Sequence, residues 1–329
     1  MREIIVFPFS NAFNQNEIFN INSSLNFENR LLPYKELRRN LIEKGFSINT
    51  YDMYNNTSIP GDGILLSFNH HPDLFRNIGL KFKYKRRILV AQEPLSRENF
   101  LLRTFEKYYK VLTWNKNITE TERIHRISAY PIVKVEFAWI SLEQRKLLTN
   151  ISINKKSRMK GELYSERVKT IKLAEKIFGS QFELYGIGWD KPTNLIDKIM
   201  NYKPPLSYKG SLKEKYPKLR EFKFALCYEN NRLLQGNVSE KIFDCFQCGV
   251  IPLYWGAPDV LDFIPEETFI WREKFKSNEE ILLYIKNLSE KEIEMKLGAI
   301  KTFLNSKRME PYWYQNHIQV IIDTILNLS

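Results

Sequence analysis

Apolar runs of strand length alternate with amphipathic stretches through the first part of the chain. Residues 3–8, 47–51 and 64–68 read as strands, and residues 32–44 as an amphipathic helix between the first two. Arg87-Ile88-Leu89-Val90-Ala91 is an apolar run typical of a strand buried on both faces; a helix over 98–109 and a strand over 110–114 follow it. Such alternation predicts a parallel sheet with helices on both sides. A second unit of the same kind starts near residue 145, with strands over 147–153 and 182–186 around a helix over 162–178. Residues 191–209, rich in Pro, Asn and Lys, read as a loop. From Asn278 the pattern is helical, and the last piece, 310–327, is expected to cross back onto the first unit. The predicted fold class is α/β: two doubly wound, Rossmann-like domains, residues 1–143 and 144–305, with a terminal segment 306–329.

The second unit holds the most informative stretch, Phe222-Lys223-Phe224-Ala225-Leu226-Cys227-Tyr228-Glu229-Asn230 and then Gly236-Asn237-Val238-Ser239-Glu240-Lys241-Ile242-Phe243-Asp244. An apolar strand ends in polar residues, a loop follows, and Ser239 caps a helix start whose positive end suits Glu240. Beyond it, Cys248-Gly249-Val250-Ile251-Pro252-Leu253-Tyr254-Trp255-Gly256-Ala257-Pro258 reads as a helix stop, a buried strand and a turn. This unit aims backbone donors, Lys241 and Glu240 at one point above the sheet edge, where α/β proteins hold a phosphorylated ligand.

These residues resemble the donor-binding core of the α-1,3-fucosyltransferases, glycosyltransferase family 10. Similar runs there read Tyr-Lys-Phe and Phe-Glu-Asn, then Gly-Tyr-Val-Thr-Glu-Lys-Ile, then Pro-(Ile/Val)-Tyr-Trp-Gly-x-Pro. The close match covers residues 221–270, including Asp262-Phe263-Ile264-Pro265 and Thr268-Phe269-Ile270. The resemblance implies two domains facing a cleft, the GT-B architecture. It also implies an inverting transfer of L-fucose from GDP-fucose to a glycan hydroxyl, with a nucleotide-sugar donor and an oligosaccharide or glycoconjugate acceptor as partners and no required metal or other cofactor. It maps the lysine that touches the diphosphate onto Lys241, the donor-binding glutamate onto Glu240, and the nucleotide-binding asparagine onto Asn230. An arginine early in the first helix of the donor domain maps onto Arg167, with Arg158 as a competitor, and the turn glycine is Gly256. One departure matters: the family tyrosine is Asn237 here. That change removes a rigid aromatic surface beside the donor, so another nucleotide-activated sugar is the alternative.

Glu93 directly follows the buried strand 87–91, where α/β folds display catalytic side chains. Transfer with inversion needs a base for the attacking hydroxyl, and a carboxylate in a partly dry cleft has its pKa pushed upward to suit that task. The resemblance implies a catalytic glutamate at the end of the matching strand. The sequence contains no Asp-x-Asp, so charge on a leaving diphosphate falls to Lys241, Arg167 and the helix N-terminus before Ile242. Arg167 has a plainer reading, a salt bridge to Glu162 or Glu166. Adjacent His70 and His71 point in different directions and make a poor metal site; a loop role facing the acceptor is the other reading. Cys245 and Cys248 have no further zinc ligands nearby and read as buried, reduced thiols. Tyr312, Trp313 and Tyr314 either stack on a sugar or dock the terminal helix.

Charge widens the choice of partners. Among 329 residues, 50 Lys plus Arg face 38 Asp plus Glu, a formal excess of +12. That favours polyanions: nucleic acid, an acidic membrane face or a nucleotide diphosphate. No nucleic-acid-binding module is recognisable, so nucleic acid is not the expected partner, and a non-catalytic glycan binder would not need Glu240 and Lys241. The N-terminal stretch lacks the long apolar core of a signal peptide, and no run approaches the roughly 18 consecutive apolar residues that span a bilayer. A cytoplasmic protein is expected, its basic surface admitting peripheral contact with the inner membrane face although no amphipathic anchor helix stands out.

Overall fold

The computed structural model describes residues 2–54, 62–71, 81–93, 103–135, 138–192 and 202–328. They form two compact units, residues 1–133 with 310–329 and residues 134–309. Six parallel strands organise the first: β1 (Arg2–Phe7), β2 (Phe46–Thr50), β3 (Ile64–Phe68), β4 (Arg87–Ala91), β5 (Lys110–Thr113) and β6 (Ile124–Arg126). Helix α1 (Leu32–Glu43) joins β1 to β2. The sheet order is β2-β1-β3-β4-β5-β6, so the chain reverses direction of travel between β1 and β3. That reversal is the switch point of a doubly wound sheet. Strand β6 was not anticipated, because Ile124-His125-Arg126 is half-buried and carries no apolar run. Of the helix expected over 98–109, residues 98–102 lie outside the described residues; 103–105 are helical, and the helix gives way to a turn at 106–107, short of its expected end.

The second unit repeats the winding. Strands β7 (Lys146–Ile151), β8 (Phe182–Tyr185), β9 (Phe222–Tyr228), β10 (Ile251–Trp255) and β11 (Ile270–Trp271) lie in the order β11-β10-β9-β7-β8. All pair in parallel, and the reversal here falls between β7 and β9. Its helices are α2 (Tyr164–Phe178), α3 (Tyr216–Leu219), α4 (Glu240–Gln247), α5 (Asn278–Asn287) and α6 (Glu290–Leu304). Helix α2 starts two residues later than the pattern predicts, because the Glu162 carboxylate turns back to accept from Ser165 N at 3.1 Å and from its hydroxyl. Strand β8 stops at Gly186, whose φ of +124° brings its Cα against the Ser152 carbonyl, where any Cβ would collide. Of the predicted loop 191–209, residues 193–201 lie outside the described residues, and Tyr208 forms a bridge to Leu184.

The last helix, α7 (Tyr314–Leu326), packs against α1 in the first unit. Trp313 pairs with Ile132, with Ile132 N donating to Tyr312 O and Tyr314 N donating to Ile132 O, each at 2.9 Å. The tyrosines flanking Trp313 thus serve to dock α7. Alternation along β1 explains the core: Ile4 and Val6 join Leu37, Leu41, Ile318 and Ile322 on one face. Ile5 and Phe7 join Leu65, Leu89, Phe105 and Tyr108 on the other. Burial on both faces is what demands near-continuous apolar strands. No helix among the described residues is long and apolar enough to cross a membrane.

Candidate functional site

Strand β9 is followed directly by Glu229, whose N–H donates to Trp255 O at 2.8 Å, continuing the ladder one residue past the strand. A carboxylate in that position is fully buried, at 1 % exposure, and burying it unpaired would be costly. Three donors answer it. Ser239 N lies 2.9 Å from Oε1, the Ser239 hydroxyl 2.8 Å from each carboxylate oxygen, and Lys241 Nζ 2.8 Å from Oε2. Lys241 Nζ also donates to Ser239 Oγ at 2.9 Å, and Ser239 Oγ accepts from Lys241 N at 3.4 Å as the N-cap of α4. Glu229 therefore holds both the first turn of α4 and the cation beside it. Glu229 is not among the site residues expected from the sequence. The available signal was an acidic residue closing an apolar strand, which needs a buried partner.

Burial works to depress the Lys241 pKa, but Glu229 and Glu240 outweigh it and hold the ammonium above its usual value. Burial likewise works to raise Glu240, and Lys241 and Lys215 outweigh it, so that carboxylate sits below its usual range. Both groups stay ionised across the neutral range. Gly256 fits the glycine reading in an unexpected way: a Cβ there would collide with Glu229 Cγ and the Tyr254 hydroxyl. The close approach is to the buried carboxylate. Gly236, φ +77°, opens the turn into α4, and its N–H donates to Asp259 Oδ1 at 2.9 Å.

Arg167 makes neither of the salt bridges considered for it. Buried at 4 % exposure, it donates through Nη2 to Tyr228 O at 2.7 Å and Glu229 O at 3.4 Å, with Tyr164 under its guanidinium. Glu166 is engaged by Lys169 and Asn278, and Glu162 by Ser165. Arg167 thus ties α2 to the end of β9, whereas its competitor Arg158 is exposed. The half-buried Asn230 accepts from Leu163 N at 3.1 Å through its carbonyl, and the buried Asn237 donates its N–H to Leu234 O. Neither side-chain amide makes a hydrogen bond among the described residues. Over Trp255 opens a pocket of about 350 Å³, lined also by Gly161, Glu162, Ser165, Glu166 and Arg232. Arg232 and Arg272 lie over the Trp255 ring, 5.7 and 4.7 Å from its centroid. Sequence reading missed Arg232; it sits just past the motif in a loop with no pattern of its own.

In the first unit, Glu93 stands past the carboxyl end of β4. Asn69, in a left-handed conformation at φ +65°, accepts through Oδ1 from Gln92 N and Glu93 N, both at 2.8 Å. Gln92 is buried and its carbonyl accepts from Trp114 Nε1 at 2.8 Å. The backbone carrying Glu93 is therefore fixed from both sides, and Tyr130 donates to Glu93 Oε1 at 3.2 Å. The side chain itself is exposed, so the partly dry setting expected for it is not supplied by its own unit. His70 is no loop residue facing outward: it is buried, with Nδ1 3.0 Å from the Tyr108 hydroxyl, and burial pulls its pKa down to about 4. His71 rests against the Phe7 ring. Cys227, Cys245 and Cys248 are buried and unbridged. Among the described residues no group of three or more His, Cys, Asp or Glu is arranged to hold a metal ion.

Residues 145–296 match the family model "Glycosyltransferase family 10 (fucosyltransferase) C-term". The chain is 34 % identical over 106 residues to the alpha-(1,3)-fucosyltransferase FucT of Helicobacter pylori, covering 32 % of this chain and 22 % of that protein. It is 36 % identical over 72 residues to an alpha-(1,4)-fucosyltransferase of Arabidopsis thaliana, covering 22 % of this chain and 18 % of the relative. The matches thus span less than a quarter of the length of these relatives. A crystal structure of an alpha1,3-fucosyltransferase superposes with a TM-score of 0.60 at 17 % identity, covering 99 % of this chain and 90 % of the other. Anabaena Alr3699/HepE, solved with UDP and glucose, gives 0.58 at 10 % identity, covering 99 % and 100 %. At such identities the likeness carries the fold: two doubly wound α/β units, as in GT-B glycosyltransferases.

Proposed function

We propose that this chain, whose residues 145–296 are a glycosyltransferase family 10 domain, transfers L-fucose from GDP-fucose to a glycan hydroxyl, in the α-1,3 manner and with inversion. The observation that carries the reading is the constellation of Glu229, Ser239, Lys241 and Glu240 at the N-terminus of α4, inside the matched residues and beside the β7–β9 reversal. Open α/β sheets bind ligands outside the carboxyl ends of their strands at such a reversal.

The chemistry divides among these groups. The acceptor oxygen attacks the anomeric carbon while the bond from that carbon to the diphosphate oxygen breaks, and Glu93 takes the proton the acceptor loses. GDP leaves with an added negative charge, which Lys241 and the free N–H groups of α4 meet. Glu240, held ionised, accepts from sugar hydroxyls. Arg167 supports the cluster by fixing the end of β9. Asn237 favours a second reading, transfer of another nucleotide-activated sugar, because its unengaged amide replaces the aromatic face of the family pattern.

Melting the protein with GDP, UDP and ADP tests the nucleotide: GDP should raise the melting temperature by several degrees, the others little. Incubation with a panel of nucleotide sugars and glycans, read by product mass, tests the sugar. Glu93→Gln should lose transfer by roughly a hundredfold or more while keeping the GDP shift. Full activity in that variant removes Glu93 from the mechanism, and no shift with any nucleotide removes the donor site.

A further inference from the structure

The cation excess of the chain has a focus. Residues 81–87 read Lys-Phe-Lys-Tyr-Lys-Arg-Arg, and the fold sets this stretch beside two others from later in the chain. Tyr109 N donates to Arg87 O at 2.9 Å, bringing the start of β5 next to the start of β4, and Val111 N donates to Arg123 O at 2.8 Å, bringing in the approach to β6. The result is a continuous rim at the amino ends of three neighbouring strands. We propose that this rim is a docking surface for anionic lipid headgroups, a role that does not depend on the reaction assigned above.

Local packing explains why the cations face outward. Phe82 is buried at 1 % exposure, and its carbonyl accepts from Arg87 Nη2 and Nε at 2.7 and 3.1 Å, pinning the stretch to the sheet. Lys81, Lys83, Tyr84 and Lys85 are left exposed, with Arg86 half-buried. Lys83, Lys85 and Arg86 have no carboxylate partner among the described residues. Exposed Lys107 and half-buried Lys110 extend the rim, and the acids there, Glu106 and Glu122, are outnumbered.

Two features point to a membrane rather than nucleic acid. Single strands need open aromatic faces for bases to stack on. Here Tyr84 and Tyr109 meet edge to face at 5.9 Å, with Arg123 over the first ring and Lys110 over the second. Rings already engaged by each other and by cations present no paired open platform for bases, while tyrosines among cations suit the headgroup layer. The rim also lies at the opposite end of β4 from Glu93, so a surface bound there leaves the carboxyl edge open. Lysines on such a surface are drawn to an anionic leaflet within about one Debye length.

Co-sedimentation of the full chain with vesicles tests this. Vesicles of phosphatidylcholine with phosphatidylglycerol should bind it at low salt, and pure phosphatidylcholine should not. The K83E/K85E/R86E variant, checked for an unchanged melting temperature, should lose partitioning roughly tenfold or more, as should raising the salt. Should that variant misfold, the milder K83Q/K85Q change should still weaken binding measurably. The proposal is overturned if mixed vesicles fail to bind, if both variants bind them like the parent, or if single-stranded RNA outcompetes the vesicles.

Discussion

Glu229 and Lys241 form a pair whose single removals should cost more than joint removal. Lys241→Met leaves a carboxylate at 1 % exposure without its cation, while the ammonium it replaces is about a third exposed, so a loss of about 1–3 kcal/mol is expected from urea denaturation. In the double variant Glu229→Gln/Lys241→Met, part of that loss should return, with a coupling on the order of 1 kcal/mol. Strict additivity would mean the contact has no energetic weight. Gly256→Ala attacks the same point by steric means: the added methyl displaces Glu229 or Tyr254, at a cost of about 1–3 kcal/mol, and should weaken the GDP-induced melting shift because Lys241 loses its tether. An unchanged shift in that variant would uncouple Glu229 from the nucleotide. Much at this scale was legible: Ser239, Glu240 and Lys241 stand out because a helix start after an apolar strand requires a cap and favours an acid. Glu229 was not, because its importance comes from donors ten and twelve residues away.

At the scale of elements, α7 is the outer wall of the first unit. It covers α1 and supplies Ile318, Ile321, Ile322 and Ile325 to the core around Ile4 and Val6. Truncation before Glu310 should expose that face and abolish cooperative unfolding of the first unit, measured by loss of its thermal transition. The same helix makes stability depend on acid. His317 is buried at 2 % exposure with Nδ1 2.9 Å from Ser128 Oγ, and burial lowers its pKa to about 3. His70, beyond β3, is lowered to about 4. Both are bases depressed on folding, so the unfolded chain takes up their protons first. Their contribution is therefore present above the unfolded value near 6.5 and lost as pH falls toward 4, at about 1.4 kcal/mol per pH unit for each. Unfolding free energies from urea denaturation should begin to fall below about pH 6.5 and approach this slope near pH 5, and His317→Asn should halve it. A free energy unchanged over that range would mean these rings are protonated as readily when folded.

Across the whole molecule, two sheets wind in the same order relative to their first strand, and in each the chain reverses beside it. The alternation of apolar runs and amphipathic helices determined that class by itself, since a strand covered on both faces by helices has no room for polar side chains. Caps and turns were likewise set locally, because free N–H groups at a helix start must be met within a few residues. Tertiary structure alone decided the rest. Arg167 reaches carbonyls more than sixty positions away, so no local pattern announces that it acts as a strut. Strand β6 exists because β5 offers it an edge, not because its three residues are apolar. The basic rim forms only when the starts of β4, β5 and β6 come side by side. Contacts of this kind depend on strand register and sheet order, and those follow from the burial of the whole core rather than from any single stretch of sequence.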